Sequence, residues 1–125
     1  MPITTKDKAG SAVVYSFFRF SGGRTTLIGP NHSDASKDIL VVNQRDPVAQ
    51  KNEQGYRRTE AEFQATTLIT EATGTVKKIA RVGISSSLPV GMPAAEIEEL
   101  FARACEMAKQ GTNRNDYFVL GRRPA

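Results

Sequence analysis

The sequence has 125 residues, of which 39% are hydrophobic and 24% are charged. This length fits a single domain, residues 1–125, with a modest core, which makes association with a partner subunit a reasonable further source of burial. Seventeen Lys and Arg against thirteen Asp and Glu give a net charge of +4, which favours a nucleic acid or another acidic partner; a basic protein without such a partner is the alternative.

The cysteine content and the chain start bear on the cellular compartment. A single cysteine, Cys105, excludes an intramolecular disulfide and is typical of a reducing compartment. Residues 1–8 lack the apolar segment of a signal peptide, and no run is long enough to span a bilayer. We therefore expect a soluble protein made in the cytoplasm, with no membrane partner.

The first predicted element is a β-hairpin within residues 1–30. Residues 12–20 are rich in β-branched and aromatic side chains, Ser21-Gly-Gly23 follows, and residues 24–28 form the second strand. Glycines supply the positive φ that a tight turn requires. A loop of turn-forming residues, 29–34, ends the hairpin.

Residues 38–89 are predicted to form an antiparallel sheet. Residues 38–45 are apolar on both faces at their start, which leaves their register open. Residues 46–54 are polar and break the β pattern, so we expect a long mobile connection there. In the next strand Thr59, Ala61, Phe63 and Ala65 alternate with Arg58, Glu60, Glu62 and Gln64. This alternation predicts one side that packs and one that meets solvent or a ligand.

After a turn at residues 72–74, the last strand carries a cationic face. Val76, Ala80, Val82, Ile84 and Leu88 share one face, and the opposite face holds Lys77, Ile79, Arg81, Gly83, Ser85 and Ser87. Arg58 of the facing strand would join that second face. The alternative is that Glu60 and Glu62 pair with these cations and leave a charge-balanced solvent face.

The main helix is predicted over residues 92–110. Its apolar stripe follows helical spacing and consists of Ile97, Leu100, Phe101, Ala104 and Ala108. Pro93 suits the first turn, Glu99 and Arg103 have the favourable i, i+4 order, and Gly111 is the predicted C-cap. We expect the stripe to be core or interface, with Cys105 as a small core filler. Residues 113–125 contain a short apolar segment that forms either a second helix or an added strand.

The residue types give no support to an enzyme. His32, Ser33 and Asp34 match a hydrolytic triad in type, but three consecutive side chains do not converge on one another. The sequence has no phosphate-binding loop and no metal-ligand cluster. We expect no catalytic residues, no cofactor, no metal and no small-molecule substrate.

These elements together resemble the coat protein of levivirus-type single-stranded RNA phages. The similarity is carried by Ile39-Leu-Val-Val-Asn-Gln-Arg45, a polar loop, Gly55-Tyr-Arg-Arg58, and then Val82-Gly-Ile-Ser-Ser-Ser-Leu-Pro89 before an acid-rich helix. The similarity extends over most of the chain and is one of pattern rather than of invariant motif. It implies an α+β fold with an N-terminal hairpin, a meander sheet of about five strands, and one long and one short C-terminal helix packed on the partner's sheet in an interlocked homodimer.

The resemblance also implies a function. Dimers of such a protein assemble into an icosahedral capsid, the shell of the virion, in the cytoplasm of the bacterial host. The open face of each sheet lies on the inside of this shell and binds single-stranded genomic RNA. A similar protein also binds an RNA hairpin and thereby represses replicase translation. The loops at residues 29–34, 46–54 and 70–74 are candidate contacts between dimers.

Carried over by position, the RNA-binding residues would be Asn43, Arg45, Arg58, Lys77, Arg81 and Ser85. Cations would hold phosphates, while Asn and Ser would reach the edges of unstacked bases. Two features depart from the family: Arg81 lies about where many members have an aromatic residue, and Glu60 and Glu62 share the proposed face. The alternative function is a small cytosolic dimeric regulator that binds nucleic acid through the same face without higher assembly.

Overall fold

A computed structural model describes residues 2–51 and 54–124. The chain divides into two compact units, residues 1–87 and residues 88–125. The first is a sheet and the second is helical. No described helix has both the length and the hydrophobicity needed to cross a membrane.

The sheet has six antiparallel strands whose order in space follows their order in the chain. The strands are β1 (Ile3–Lys6), β2 (Ala12–Ser21), β3 (Arg24–Ile28), β4 (Asp38–Arg45), β5 (Tyr56–Glu71) and β6 (Gly74–Pro89). Strand β1 is one more than the sequence predicted, because four residues of mixed polarity carry no clear alternation. Each strand pairs with the next one in the chain, as consecutive strands commonly do.

Polar side chains and glycines shape the first two turns. Between β1 and β2, the Asp7 carboxylate accepts hydrogen bonds from the backbone N–H groups of Ala9 (3.0 Å) and Ser11 (2.8 Å). Between β2 and β3, Gly23 has a φ of 81°, and a Cβ there would lie 2.8 Å from the Gln44 carbonyl oxygen. Only glycine fits this position, because a side chain would both strain the backbone and collide with β4.

The strand register separates an apolar face from a polar face. On the apolar face Leu27 pairs with Leu40, and Leu40 pairs with Phe63. Tyr15, Leu27 and Leu40 are 8%, 1% and 2% exposed and form the core, while the Tyr15 ring meets Phe63 edge to face with centroids 5.5 Å apart. Neighbouring positions on each strand point to the opposite face.

Asp38 connects the core to the loop between β3 and β4. The Tyr15 hydroxyl donates to Asp38 Oδ1 (3.0 Å), and the backbone N–H of Asn31 donates to Oδ2 (3.1 Å). The backbone N–H of Asp38 donates to His32 Nδ1 (3.3 Å). His32 thus helps to fix the loop, which gives it a structural role.

The helical unit begins with α1 (Ala94–Lys109), capped at its N-terminus by Pro93 with ψ 139°. Glu99 and Arg103 form the predicted i, i+4 pair, with Arg103 Nε 2.9 Å from Glu99 Oε1. The predicted C-cap at Gly111 is wrong: Gln110 ends the helix in an extended conformation. Gly111 instead starts the short helix α2 (Gly111–Asn113), which continues as a π-helix over Arg114–Val119. The apolar C-terminal segment is therefore helical.

The apolar stripe of α1 is not buried within the single chain. No residue of α1 is buried, and Leu100 and Phe101 are 50% and 38% exposed. Cys105 is also exposed, so the expectation that it fills a core is wrong for the isolated chain. An exposed stripe of this kind is typical of an interface.

The Tyr15 hydrogen bond generates a pH-dependent prediction. Burial raises the pKa of the Tyr15 hydroxyl, and the hydrogen bond to Asp38 and its negative charge raise the pKa further. The pKa of the Tyr15 hydroxyl is therefore higher in the folded state than in the unfolded state. The stability that the protonated hydroxyl contributes is fully present below about pH 10 and is lost as the pH rises through the folded-state pKa. Tyr15→Phe should lower the free energy of unfolding at neutral pH by about 1 kcal/mol.

Denaturant titrations between neutral and alkaline pH would measure this effect. The stability of Tyr15→Phe should fall less steeply above about pH 10 than that of the wild type. Tyr117→Phe, in the helical unit, is the matched control. Parallel stability curves for Tyr15→Phe and the wild type would contradict the assignment.

Candidate nucleic-acid interface

The polar face of the sheet contains an open hollow of ≈ 600 Å³. In register across three strands, Arg24 pairs with Asn43, and Asn43 pairs with Glu60. The hollow is lined by Arg24, Val41, Asn43, Glu60, Ala61, Glu62, Gln64, Arg81, Gly83, Ile84 and Ser85. This central hollow has a polar, charged floor and suits a polar ligand.

Three of the six predicted site residues meet at the central hollow. Asn43, Arg81 and Ser85 line it together, and they come from β4 and β6 on either side of β5. Gly83 lies between the two β6 residues, and a Cβ on it would sit 3.3 Å from the Ala61 carbonyl oxygen. The absence of a side chain there keeps the floor open between Arg81 and Ser85.

Arg45 and Arg58 lie directly opposite each other at the end of the β4–β5 ladder. Both line a second hollow of ≈ 430 Å³, together with Asp46, Val48, Gln50, Gly55 and Tyr56. Like charges on directly opposed residues destabilise a sheet. An anion bound between the two guanidinium groups would relieve that repulsion.

Lys77, the sixth predicted residue, lines neither hollow. Strand alternation places it on the same face as Arg81, four residues along β6. Its Nζ donates a hydrogen bond to the Ala35 carbonyl oxygen at 3.0 Å, in the loop between β3 and β4. Lys77 therefore also connects the β5–β6 hairpin to that loop.

The acids of the polar face neutralise part of its charge. Glu62 Oε1 lies 3.5 Å from Arg81 Nε and accepts a hydrogen bond from Gln64 Nε2 at 2.7 Å. The charge-balanced alternative is therefore realised for Arg81 and Glu62. Both side chains are about half exposed, at 56% and 41%, so water screens the pair and a competing anion has access to Arg81.

Sequence reasoning missed Arg24 as a member of this face. Arg24 follows the Gly22-Gly23 turn, and its place beside Asn43 depends on the β3–β4 register. The ambiguous apolar pattern of β4 hid that register. Among residues 2–51 and 54–124, no group of three or more His, Cys, Asp or Glu side chains is arranged to hold a metal ion.

Comparisons with known proteins identify the fold. No protein-family model and no curated protein sequence matches the chain. Among solved structures, the chain is similar to the virus-like particle of Wenzhou levi-like virus 4, with a TM-score of 0.79 and 21% identity over 98% of this chain and 86% of that chain. It is also similar to the virus-like particle of bacteriophage AVE019, with a TM-score of 0.74 and 15% identity over 99% of this chain and 97% of that one.

These similarities confirm the resemblance at the level of fold. The six-stranded antiparallel sheet followed by a helix and a short helix is the levivirus coat-protein fold. A third neighbour, the virus-like particle of Beihai levi-like virus 32, has a TM-score of 0.77 and 17% identity over 86% of this chain and 84% of that chain. The neighbours are capsid particles of levi-like viruses and phages.

Removal of the Glu62 carboxylate tests whether Arg81 is free to exchange partners. An exposed ion pair contributes about 1 kcal/mol or less, so Glu62→Gln should change the free energy of unfolding by no more than that. Glu71→Gln is the matched control, because Glu71 pairs with Lys78 on the same hairpin and is similarly exposed. Chemical denaturation would measure both. A loss above about 2 kcal/mol for Glu62→Gln alone would mean that the pair is structural.

Proposed function

We propose that this chain is the coat protein of a single-stranded RNA phage. In this proposal the protein forms dimers that assemble into an icosahedral shell, with the polar face against the genomic RNA. The observation that carries the proposal is the likeness, over nearly the whole chain, to the subunits of levi-like virus-like particles. A coat protein needs no catalytic group, and its place is the virion, assembled in the cytoplasm of the bacterial host.

Unburied apolar surface supports the dimer. The α1 stripe is Ile97, Leu100, Phe101, Ala104 and Ala108, and no member of it is buried in the single chain. Covering a large apolar side chain stabilises by about 1.5–3 kcal/mol. Strand β6 ends the strand order and so has a free edge, which a second sheet would pair. An interlocked dimer, with helices across the partner's sheet and sheets joined edge to edge, satisfies both needs.

The chemistry of the polar face supports RNA as the ligand. Arg45, Arg58 and Arg81 would neutralise phosphates, which give most of the affinity of a nucleic-acid complex. Asn43 and Ser85 lie beside Arg81 in the central hollow and carry groups that hydrogen-bond to unstacked bases. The face thus combines positioning contacts with contacts to base edges.

The acids of the polar face limit where RNA phosphates can bind. Glu60 and Glu62 line the central hollow and repel phosphate, so we expect RNA to be held mainly by the cations around them. In the proposal, packaging of genomic RNA is the primary activity, and repression of replicase translation through an RNA hairpin is a further consequence of binding on the same face.

Three loops are the proposed contacts between dimers. Residues 29–34 form the loop fixed by Asp38 and His32. Residues 70–74 form the tip of the long β5–β6 hairpin. In the third loop, residues 46–54, positions 52 and 53 lie outside the described residues.

Sizing of freshly purified protein, expressed in bacteria, tests the proposal as a whole. A coat protein should elute as a particle that carries ultraviolet-absorbing RNA, and electron microscopy should show closed shells. A small dimeric regulator would elute as a small oligomer at every concentration, and that result would contradict the capsid assignment.

Salt-dependent RNA binding tests Arg58 and Arg81. Removal of one phosphate contact lowers the magnitude of the salt slope by about 0.7 for single-stranded RNA, so Arg58→Ala and Arg81→Ala should each show this loss. Arg57→Ala is the matched control, because strand alternation places Arg57 on the opposite face from Arg58. Fluorescence anisotropy with an unstructured oligonucleotide would measure the slopes. Unchanged slopes for Arg58→Ala and Arg81→Ala would count against both assignments.

A further inference from the structure

A β-bulge in the β2–β3 hairpin decides the face on which Arg19 lies. Phe17 pairs with Leu27 and Arg19 pairs with Thr26, so β2 advances by two residues while β3 advances by one. Leu27 belongs to the apolar face, and its neighbour Thr26 belongs to the polar face. Without the bulge, alternation along β2 would keep Arg19 on the apolar face with Phe17. Bulges commonly re-aim a side chain in this way.

Arg24 completes a cationic pair with Arg19. Arg24 pairs with Ser21 of β2 and with Asn43 of β4. A hollow of ≈ 380 Å³ is lined by Arg19, Ser21, Arg24 and Thr26. Its polar groups are therefore two guanidinium groups and two hydroxyl groups, with no carboxylate. Arg24 also lines the central hollow, so the two hollows share a wall.

The two arginines are available to a ligand. Arg19 and Arg24 are both exposed, and neither takes part in an ion pair within the described part of the chain. The Arg19 guanidinium lies 5.8 Å from the centre of the Phe18 ring, a contact that orients it without neutralising it. Arg81, in contrast, faces Glu62. The positive charge on the hairpin thus lacks the ion pairing that partly neutralises Arg81.

We propose that Arg19 and Arg24 form a phosphate-binding site that extends the path of single-stranded RNA from the central hollow onto the β2–β3 hairpin. The inference rests on the proposed function and adds two contacts on strands to which the resemblance assigned none. Guanidinium groups bind phosphate through paired charge-assisted hydrogen bonds, and the hydroxyls of Ser21 and Thr26 add further donors.

Salt-dependent binding of an unstructured oligoribonucleotide to the full-length protein tests the inference. Arg19→Ala with Arg24→Ala should lower the magnitude of the salt slope by about 1.4, which corresponds to two lost phosphate contacts. The charge-conserving pair Arg19→Lys with Arg24→Lys should retain the wild-type slope. Arg57→Ala, an arginine on the other face, should leave the slope unchanged. Thermal melting of each variant checks that the sheet is intact.

The outcomes separate this inference from the proposed function. A reduced slope for the double alanine variant, with retention in the double lysine variant, supports the site. If the double alanine variant keeps the wild-type slope while Arg58→Ala and Arg81→Ala lose theirs, the hairpin site is overturned and the proposed function stands. A wild-type protein whose RNA binding shows no salt dependence overturns both. If the alanine pair unfolds, Arg19→Gln with Arg24→Gln decides, because it removes both charges and keeps longer side chains: a slope equal to that of the wild type overturns the site.

Discussion

The continuous antiparallel register is the constraint on which the sheet and its candidate interface depend. Because successive side chains alternate between faces, the pairing of Leu27 with Leu40 and of Leu40 with Phe63 fixes the apolar face. The same pairing places Asn43 beside Glu60 on the other face. A shift of one residue would exchange the two faces. The backbone N–H of Gln44 donates a hydrogen bond to the Gly23 carbonyl oxygen, and the close approach of the two residues leaves no room for a side chain at position 23. This contact fixes the register at one end of the β3–β4 pair.

The apolar surface explains why a single chain is an incomplete unit. Tyr15, Leu27 and Leu40 form the buried core on the apolar face of the sheet, whereas Leu100 and Phe101 of α1 and the C-terminal Phe118, Val119 and Leu120 are exposed. A chain of this size buries a limited fraction of its surface alone. Assembly would supply the missing burial, which links the proposed capsid function to the stability of the fold.

Much of the sheet could be predicted from sequence, and so could five residues that line the two hollows of the polar face. Glycines marked the β2–β3 turn, and the alternation in β5 assigned Arg58, Glu60 and Glu62 to one face, because both signals are local. The bulge at Phe18 and the bond from Lys77 to Ala35 depend on partners distant in the chain and left no local pattern. The end of α1 at Gln110 was missed because glycine at position 111 resembles an ordinary C-cap.

The proposed function requires that the polar face lines an RNA-filled shell. A cryo-electron microscopy reconstruction of particles formed by the protein in bacteria tests it most directly. We expect closed shells in which the face that carries Asn43, Arg58 and Arg81 points inward and contacts nucleic-acid density. Shells in which this face points to the exterior, or in which nucleic-acid density contacts only other surfaces, would overturn the RNA-binding role of the polar face.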